Sequence, residues 1–281
     1  METILNKAVL VRLSISQFNA KRQDGKTTAE VLRDKQAGAS AGVWVKNLID
    51  PKSLDVITST AQKARQEHYR LSLPWADEGW RILPTAMFSK YQDSIRIFHT
   101  KFDGEVEKFL GEYPQHVETA KTALNGMFNP MDYPQVPVLR SKFGMKIDVA
   151  PLPCGKDFRV TLASDELANI QADVDARVKE ATAQAVKDLW TRLAQPVRAM
   201  VNRLSEPDAI FRDSLLDNLE DILDLIPELN VTGDATLTAL AQECRAKLGG
   251  LKVEDLRADK NFRKATSQQA DELLKKMEGY L

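Results

Sequence analysis

The sequence predicts an α+β protein that is predominantly α-helical, with long amphipathic helices packed as a bundle beside a small, partly antiparallel sheet. Three patterns in the 281 residues predict this class. Apolar and polar residues alternate over 7–18, aromatic residues recur at helical spacing over 88–113, and an apolar stripe runs over 167–204. The chain is long enough for one large domain or two smaller ones.

The first strand is predicted over 7–18, where Val9, Val11, Leu13 and Ile15 fall on one face. This period of two, in a segment rich in β-branched residues, is typical of a half-buried strand. Two further strands are predicted near 145–150 and 157–162, joined by a Pro-Cys-Gly turn. Together these three strands would form the small sheet.

The segment after the first strand is polar, and we expect a mobile or partner-ordered loop around a short helix near 27–36. A helix is predicted from Pro51 to about Tyr69, and Pro84 suits the first turn of the next helix. That next helix carries apolar residues at alternating spacings of three and four, which predicts one buried face. They are Phe88, Tyr91, Ile95, Phe98, Phe102, Val106, Phe109 and Tyr113.

Proline sets the expected ends of several helices. Pro114 should break or kink the aromatic helix, which then continues over 115–126, and three prolines between 130 and 137 argue against regular helix there. The long helix starts at Ser164 as cap, with an apolar spacing of about 3.7, so it is nearly straight. We expect a kink at Pro196, a new helix capped by Ser205 and ended by Pro227, a turn at Gly233, and helices near 234–248, 251–258 and 266–279.

The expected division of the chain is into residues 1–163, a β-element with a helical hairpin and a Trp-rich turn, and residues 164–281, the long helix and an acidic helical region. One composite domain could extend through about 235. Residues 1–163 carry 23 basic and 18 acidic side chains, whereas 205–235 has nine acids and one base. This polarity favours head-to-tail self-association or a basic partner; the alternative is a solvated acidic helix face.

Composition excludes several classes of protein. A net charge of −1 gives no general attraction to nucleic acid or membrane, and no apolar run reaches the roughly 20 residues of a membrane-spanning helix. An acidic residue at position 2 and alternating polarity do not resemble a secretory signal, so we expect a cytoplasmic protein. Two cysteines, Cys154 and Cys244, form no disulfide framework. Glycine loops for phosphates, a GxSxG elbow and paired histidines are absent, so we expect neither cofactor nor catalysis.

The most distinctive stretch is EHYRLSLPWADEGWRILPTAMF, residues 67–88. Two tryptophans astride a proline-bounded turn are typical of a packed corner between two helices. The functional alternative is a surface that binds a protein partner. Its residues would be Trp75, Trp80, Arg81, Asp77 and Glu78.

Two other binding chemistries have candidate residues. Basic and aromatic residues in the flexible 20–46 segment could follow a phosphate backbone and stack bases, which favours single-stranded nucleic acid. They are Lys21, Arg22, Lys26, Arg33, Lys35, Trp44 and Lys46. A metal-dependent enzyme would need convergent carboxylates, for which the candidates are Asp77, Glu78, Asp93, Asp103, Glu105 and Glu107. Those at 93–107 lie opposite the aromatic stripe, where solvated charge is expected.

The stretches LNKAVLVRLSISQF, EHYRLSLPWADEGWRILP and SEPDAIFRDSLLDNLEDILDLIPELNVTGD resemble a family of uncharacterised phage and plasmid proteins, a domain of unknown function. The resemblance covers most of residues 1–235. It implies a mobile-element origin in a bacterial host cytoplasm and an association with MoxR-type AAA+ ATPases and von Willebrand A-domain proteins. It transfers no catalytic residue. The long amphipathic helices, the bipolar charge and the absence of a catalytic signature lead us to expect a non-enzymatic protein, an oligomeric scaffold or adaptor, that works through protein–protein contacts.

Overall fold

The structure, a computed structural model, describes residues 2–75, 79–157, 164–206 and 212–281. It confirms a mostly helical α+β fold with a four-stranded sheet and a separate two-stranded one. Within these ranges no helix is long and apolar enough to cross a membrane. The strands are β1 (Ala8–Ser16), β2 (Lys21–Gln23), β3 (Val45–Asn47), β4 (Leu73–Pro74), β5 (Arg81–Pro84) and β6 (Gly144–Pro151). The α-helices are α1 (Glu2–Leu5), α2 (Gly25–Asp34), α3 (Asp55–Arg70), α4 (Phe88–Leu124), α5 (Val136–Arg140), α6 (Ser164–Ser205), α7 (Ser214–Leu229), α8 (Ala235–Leu248), α9 (Val253–Ala258) and α10 (Lys260–Met277).

The chain forms two compact units that are interleaved in sequence. The large unit comprises Met1–Arg12, Tyr69–Tyr91 and Asp148–Leu281, and the small unit comprises Leu13–His68 and Gln92–Ile147. The chain passes between the units inside four elements, β1, α3, α4 and β6. This division differs from the one at residue 163 that the composition suggested.

The four-stranded sheet has the order β4-β5-β1-β6, with β1 as an inner strand. Strand β1 pairs antiparallel with β5, from Ala8 opposite Pro84 to Val11 opposite Arg81. The predicted first and second strands are confirmed as β1 and β6. At its start β1 is buried on both faces, since the neighbours Leu10 and Val11 are both buried. The expected half-exposed alternation therefore holds only toward its end.

Long helices form the core of the large unit. Helix α6 packs against α7 and α10, and α8 packs against the same two helices. The apolar stripe predicted for α6 is buried from Val178 to Leu204 and half-buried before it. Near the end of the chain, the Tyr280 ring stacks on the buried Trp190 at 4.3 Å between centroids and an interplanar angle of 9°. The C-terminal residues thus lie against this core, with 46% of the Tyr280 surface exposed.

The core of the small unit is built on α4. The predicted aromatic stripe is confirmed, because Ile95, Phe102, Val106 and Phe109 are buried along one face. The Phe109 ring lies 5.8 Å from that of Phe143 in an edge-on contact, a geometry that adds to the hydrophobic gain from burial. Phe88 and Phe98, at the same periodicity, are only half-buried.

Two predictions based on proline were wrong, those for Pro84 and Pro227, whereas the expected continuation of the helix beyond Pro114 is confirmed. Pro84 does not begin a helix; it ends β5, and a 3-10 turn over Thr85–Met87 precedes α4. Pro114 lies inside α4, which continues to Leu124, and Pro227 lies inside α7, which ends at Leu229. A proline inside a helix destabilises it by about 3 kcal/mol. In both α4 and α7, apolar residues on each side of the proline are buried, and their packing offsets this cost.

Other differences lie near chain turns. Ser205 is the last residue of α6, and residues 207–211, where the next helix was expected to begin, lie outside the described residues; α7 begins at Ser214. The proline-rich stretch contains a short helix, α5, because Pro137 occupies its first turn, where no amide hydrogen is needed. The predicted strand at 157–162 lies outside the described residues except for Asp157, which ends a 3-10 turn. The C-terminal helices are confirmed, and Gly233 adopts a positive φ of 67° at the predicted turn.

We predict that Phe102→Ala lowers the free energy of unfolding by about 3–5 kcal/mol, because a fully buried ring leaves a cavity. Ile97→Ala, on the same helix but with 68% of its surface exposed, is the matched control and should change it by less than about 0.5 kcal/mol. Denaturant unfolding followed by circular dichroism measures both. Equal effects of the two substitutions would contradict the assignment of the buried face of α4.

Candidate functional site: the arm formed by residues 21–47

Residues 21–47, hereafter the arm, form a β-ribbon that carries a helix. Strands β2 and β3 pair antiparallel, with Arg22 directly opposite Lys46, and α2 lies between them in sequence. The Asp24 carboxylate caps α2 by accepting a hydrogen bond from the Thr27 amide at 2.9 Å. The Trp44 amide donates to the Thr28 hydroxyl at 2.8 Å, so the return of the chain from α2 to β3 is tied to the first turn of the helix.

Lys46 is the one buried residue of the arm, with 6% of its surface exposed. Its ammonium group lies 2.9 Å from an oxygen of Asp24 and 2.9 Å from an oxygen of Asp132. It also donates to the carbonyl of Met127 at 2.7 Å. Three acceptors match the three donors of a lysine, so the buried charge is fully satisfied.

Asp132 joins the two strands of the ribbon through their cations. Its second oxygen lies 2.9 Å from Nε of Arg22, the residue directly across the ribbon from Lys46. Like charges directly opposite each other in a sheet repel, and a carboxylate shared by both cations removes that repulsion. We call Arg22, Asp24, Lys46 and Asp132 the anchor.

The charges of the anchor are stabilised by their own contacts. The Thr27 amide and then the Lys46 ammonium hold the pKa of Asp24 at about 2, below its usual 3.8. Burial alone would lower the pKa of Lys46, but its hydrogen bonds to Asp24 and Asp132 outweigh burial and raise it. Both groups therefore remain ionised at neutral pH.

The partner segment of the arm, residues 125–133, is also held by contacts outside the anchor. The Tyr133 hydroxyl donates to the carbonyl of Leu48 at 2.7 Å, and its ring stacks on Phe128 at 5.0 Å. The Leu48 amide in turn donates to the carbonyl of Ala20 at 2.7 Å. The base of the arm is therefore well connected, whereas the rest of the arm has no buried side chain.

The outer surface of the arm is partly apolar. Helix α2 has no buried residue. Val31, Val43, Trp44 and Val45 are 40%, 62%, 44% and 46% exposed. Exposed large apolar side chains of this kind make the arm a candidate binding surface.

The predicted nucleic-acid residues divide into two sets. Arg22 and Lys46 belong to the anchor, where they pair with carboxylates. Lys21, Lys26, Arg33 and Lys35 are exposed. Within the small unit, all of whose residues are described, the only ion pair in this second set is a loose one, 3.7 Å from Arg33 to Asp34.

The Trp-rich turn is a β-hairpin and not a corner between two helices, because β4 and β5 pair with Leu73 opposite Ile82. Trp75 and Trp80 are half-buried, and the Arg12 guanidinium lies 4.8 Å from the Trp80 ring centroid. Asp148 pairs with that arginine at 3.0 Å. Asp77 and Glu78 lie outside the described residues, so their part of the predicted surface remains a prediction.

Arg81 makes contacts inside the large unit. Its guanidinium lies 4.7 Å from the Tyr69 ring centroid and donates to the hydroxyl and carbonyl of Ser72 at 2.8 and 3.0 Å. Burial, and then the nearby Arg192, lowers the pKa of Arg81 to about 10. Arg192 also donates to the Ser72 carbonyl, at 2.8 Å. These two arginines complete the hydrogen bonding where α3 ends.

Each candidate metal-binding acid on α4 lies beside a basic side chain. Asp93 lies 2.8 Å from Arg96, and Glu107 lies 2.7 Å from Arg140. Asp103 is 3.2 Å from His99, and Glu105 is 3.9 Å from Lys101. Over the part of the chain that the structure describes, no three metal-binding side chains come together.

Sequence reasoning missed Asp132, the residue on which the arm depends. It lies about a hundred residues from Asp24 and Arg22, in a proline-rich stretch without a motif. An acid within an otherwise apolar and proline-rich segment was the one available signal. The presence of this acid does not by itself show which basic residues it pairs with.

We predict that Lys46→Met destabilises the protein by about 3 kcal/mol, because Asp24 and Asp132 lose their shared cation in a buried site. Hydrogen exchange should quicken across residues 21–47 in particular. Lys26→Met is the matched control on the exposed part of the arm and should leave both measurements unchanged. Unaltered exchange in the Lys46 variant would show that the anchor does not hold the arm.

The anchor should also respond to acid. Since the folded pKa of Asp24 is depressed to about 2, its stabilising contribution is complete above its usual pKa of 3.8 and disappears as the pH falls toward 2. Asp24→Asn keeps an acceptor for the Thr27 amide but removes the charge. Unfolding measured between neutral pH and about pH 2 should show a smaller loss of stability with acid in the variant; equal pH profiles would contradict this assignment.

Comparison of the chain with protein-family models, with curated proteins and with solved structures finds no match.

Proposed function

We propose that this is a non-enzymatic protein that acts through protein–protein contacts, as an oligomeric scaffold or adaptor, with the arm as its contact surface. The observation that carries the proposal is the exposure of four large apolar side chains on the arm, Val31, Val43, Trp44 and Val45. A partner that covered these side chains would gain about 25 cal/mol for each Å² of apolar surface buried.

The isolation of α2 supports the same proposal. A ten-residue helix is too short to be stable in water on its own, and here it contributes no buried residue to the small unit. Its position depends on the Asp24 cap and on the Thr28 contact with Trp44. Contact with a partner would add the burial that this helix lacks.

Charge supports an acidic partner surface. The small unit carries 16 basic and 13 acidic side chains, a net charge of +3, whereas the large unit carries 23 basic and 27 acidic ones, a net charge of −4. Exposed acids on α7 that form no ion pair among the described residues include Asp217, Asp221 and Glu228. A second copy of the chain therefore offers an acidic surface to the arm, which favours head-to-tail assembly.

Light scattering coupled to size-exclusion chromatography tests self-association. We predict an oligomer at low salt that weakens at high salt, and a shift toward monomer in the double variant Val31→Ser/Trp44→Ser. Val56→Ser, which changes a 61% exposed valine of α3 away from the arm, is the control and should leave the mass unchanged.

A charge exchange makes the test specific for two copies. Lys26→Glu/Arg33→Glu should weaken assembly, and mixing it with Asp217→Lys/Asp221→Lys should restore assembly in the mixture alone. A strict monomer under all conditions would contradict the oligomeric form of the proposal. Direct binding assays with a MoxR-type ATPase and an A-domain protein, each compared with the arm variants, would then decide whether it is an adaptor.

A second candidate function is binding of single-stranded nucleic acid, which the position of Trp44 favours. Its exposed ring lies on the same arm as Lys21, Lys26, Arg33 and Lys35, whose charges are largely unengaged. Aromatic stacking combined with unpaired cations suits a single strand.

For this function we predict salt-dependent binding of a labelled oligonucleotide. Each phosphate contact contributes about 0.7 to the slope of log affinity against log salt, so four cations give a slope of up to about −3. Lys26→Glu/Arg33→Glu should reduce that slope. Trp44→Ala should weaken binding but leave the slope unchanged. Fluorescence anisotropy measures both, and no binding at low salt rejects this candidate.

A further inference from the structure

A second feature of the small unit lies beside the arm. A cleft of about 570 Å³ opens between the chain at 16–22 and the turn at 131–142. This volume is within the range of small-molecule sites. We call it the Lys142 cleft, after the basic residue on its rim that lies outside the arm.

The charges of the cleft are unbalanced. Three of the residues that line it are basic, Lys21, Arg22 and Lys142, and one is acidic, Asp132. Both oxygens of Asp132 are already occupied, one by Arg22 and one by Lys46. Lys21 and Lys142 have no ion pair in the small unit, so the cleft has unneutralised positive charge.

Arg22 is oriented by the anchor. Its Nε is held by Asp132 at 2.9 Å while 59% of its side chain remains exposed. Its two terminal amino groups make no hydrogen bond within the small unit and can donate to a ligand. A guanidinium fixed in this way suits the paired oxygens of a phosphate.

The rest of the cleft is apolar or carries neutral polar groups. Met131 and Val138 are 87% and 54% exposed and form an apolar wall with Pro134. The neutral groups are Ser16, Gln17, Asn19 and Ser141. The side-chain oxygen of Gln17 accepts a hydrogen bond from the Thr58 hydroxyl at 3.2 Å. The side-chain amide hydrogens of Gln17 therefore remain available to a ligand.

We propose that the Lys142 cleft binds a nucleotide, with its phosphates on Lys21, Arg22 and Lys142 and its base against Met131 and Val138. The volume, the excess of unpaired cations and the adjoining apolar wall together fit an anion that has a flat apolar portion. The same chemistry is available from a free nucleotide and from one nucleotide of a strand. This site is separate from the outer surface of the arm.

The test uses the full chain and a fluorescent adenosine triphosphate at low salt. We expect saturable binding, and we expect its affinity to fall about tenfold or more in Lys142→Glu and in Lys21→Glu. Lys26→Glu/Arg33→Glu, on the arm but outside the cleft, should bind as the parent does. All four positions are exposed, so these variants are expected to fold.

Competition identifies the base contact. Unlabelled adenosine triphosphate should displace the probe at least tenfold more effectively than inorganic tripolyphosphate. Met131→Ser should lower the affinity for the nucleotide and leave the affinity for tripolyphosphate unchanged. Absence of binding, equal competition by both anions, or a Lys142→Glu variant with parental affinity would each overturn the proposal.

A short single-stranded oligonucleotide distinguishes the two sources. If a strand supplies the nucleotide, the oligonucleotide should compete more tightly than the mononucleotide, and Lys142→Glu should abolish that advantage. If the ligand is a free nucleotide, the mononucleotide should be the better competitor. The proposal of assembly through the arm does not depend on these results, because the variants that test assembly change other residues.

Discussion

The position of the arm in the small unit depends on one buried ammonium group. The Lys46 side chain enters between Asp24 of the arm and Asp132 of the 125–133 segment, and a carbonyl takes its third hydrogen. Because a buried charge without partners is unfavourable by several kcal/mol, the three acceptors and the lysine require one another. This requirement fixes where the ribbon lies, and α2 follows the ribbon because Asp24 is also its cap.

The anchor also separates two surfaces that are adjacent in sequence. Arg22 and Lys46 alternate with Lys21 and Val45 along their strands, and only the first pair forms ion pairs with Asp132. A basic segment that looks uniform in the sequence is thus divided by strand geometry. The exposed residues within 26–45 carry the proposed protein contacts, and Lys21, Arg22 and Lys142 carry the proposed nucleotide site.

The Trp-rich turn shows how a distinctive sequence can have a structural explanation. Strands of two and four residues that contain prolines give no alternation to detect, so the hairpin was not predicted. Arg81, expected on a partner surface, contacts Tyr69 and Ser72 within its own unit. Arg192, from the middle of α6, reaches the same carbonyl, a contact between residues about a hundred and twenty positions apart.

By itself, the sequence determined the class of the fold, strands β1 and β6, the buried faces of α4 and α6, and the C-terminal helices. These follow from periodicity, which is a local property: a stripe such as Phe102, Val106 and Phe109 must be buried wherever the helix lies. The tertiary structure decided which prolines a helix tolerates, that β4 and β5 pair, and which basic residues of the arm are exposed. Those outcomes depend on partners distant in sequence, and no local pattern around Lys46 specifies that its counterion is Asp132.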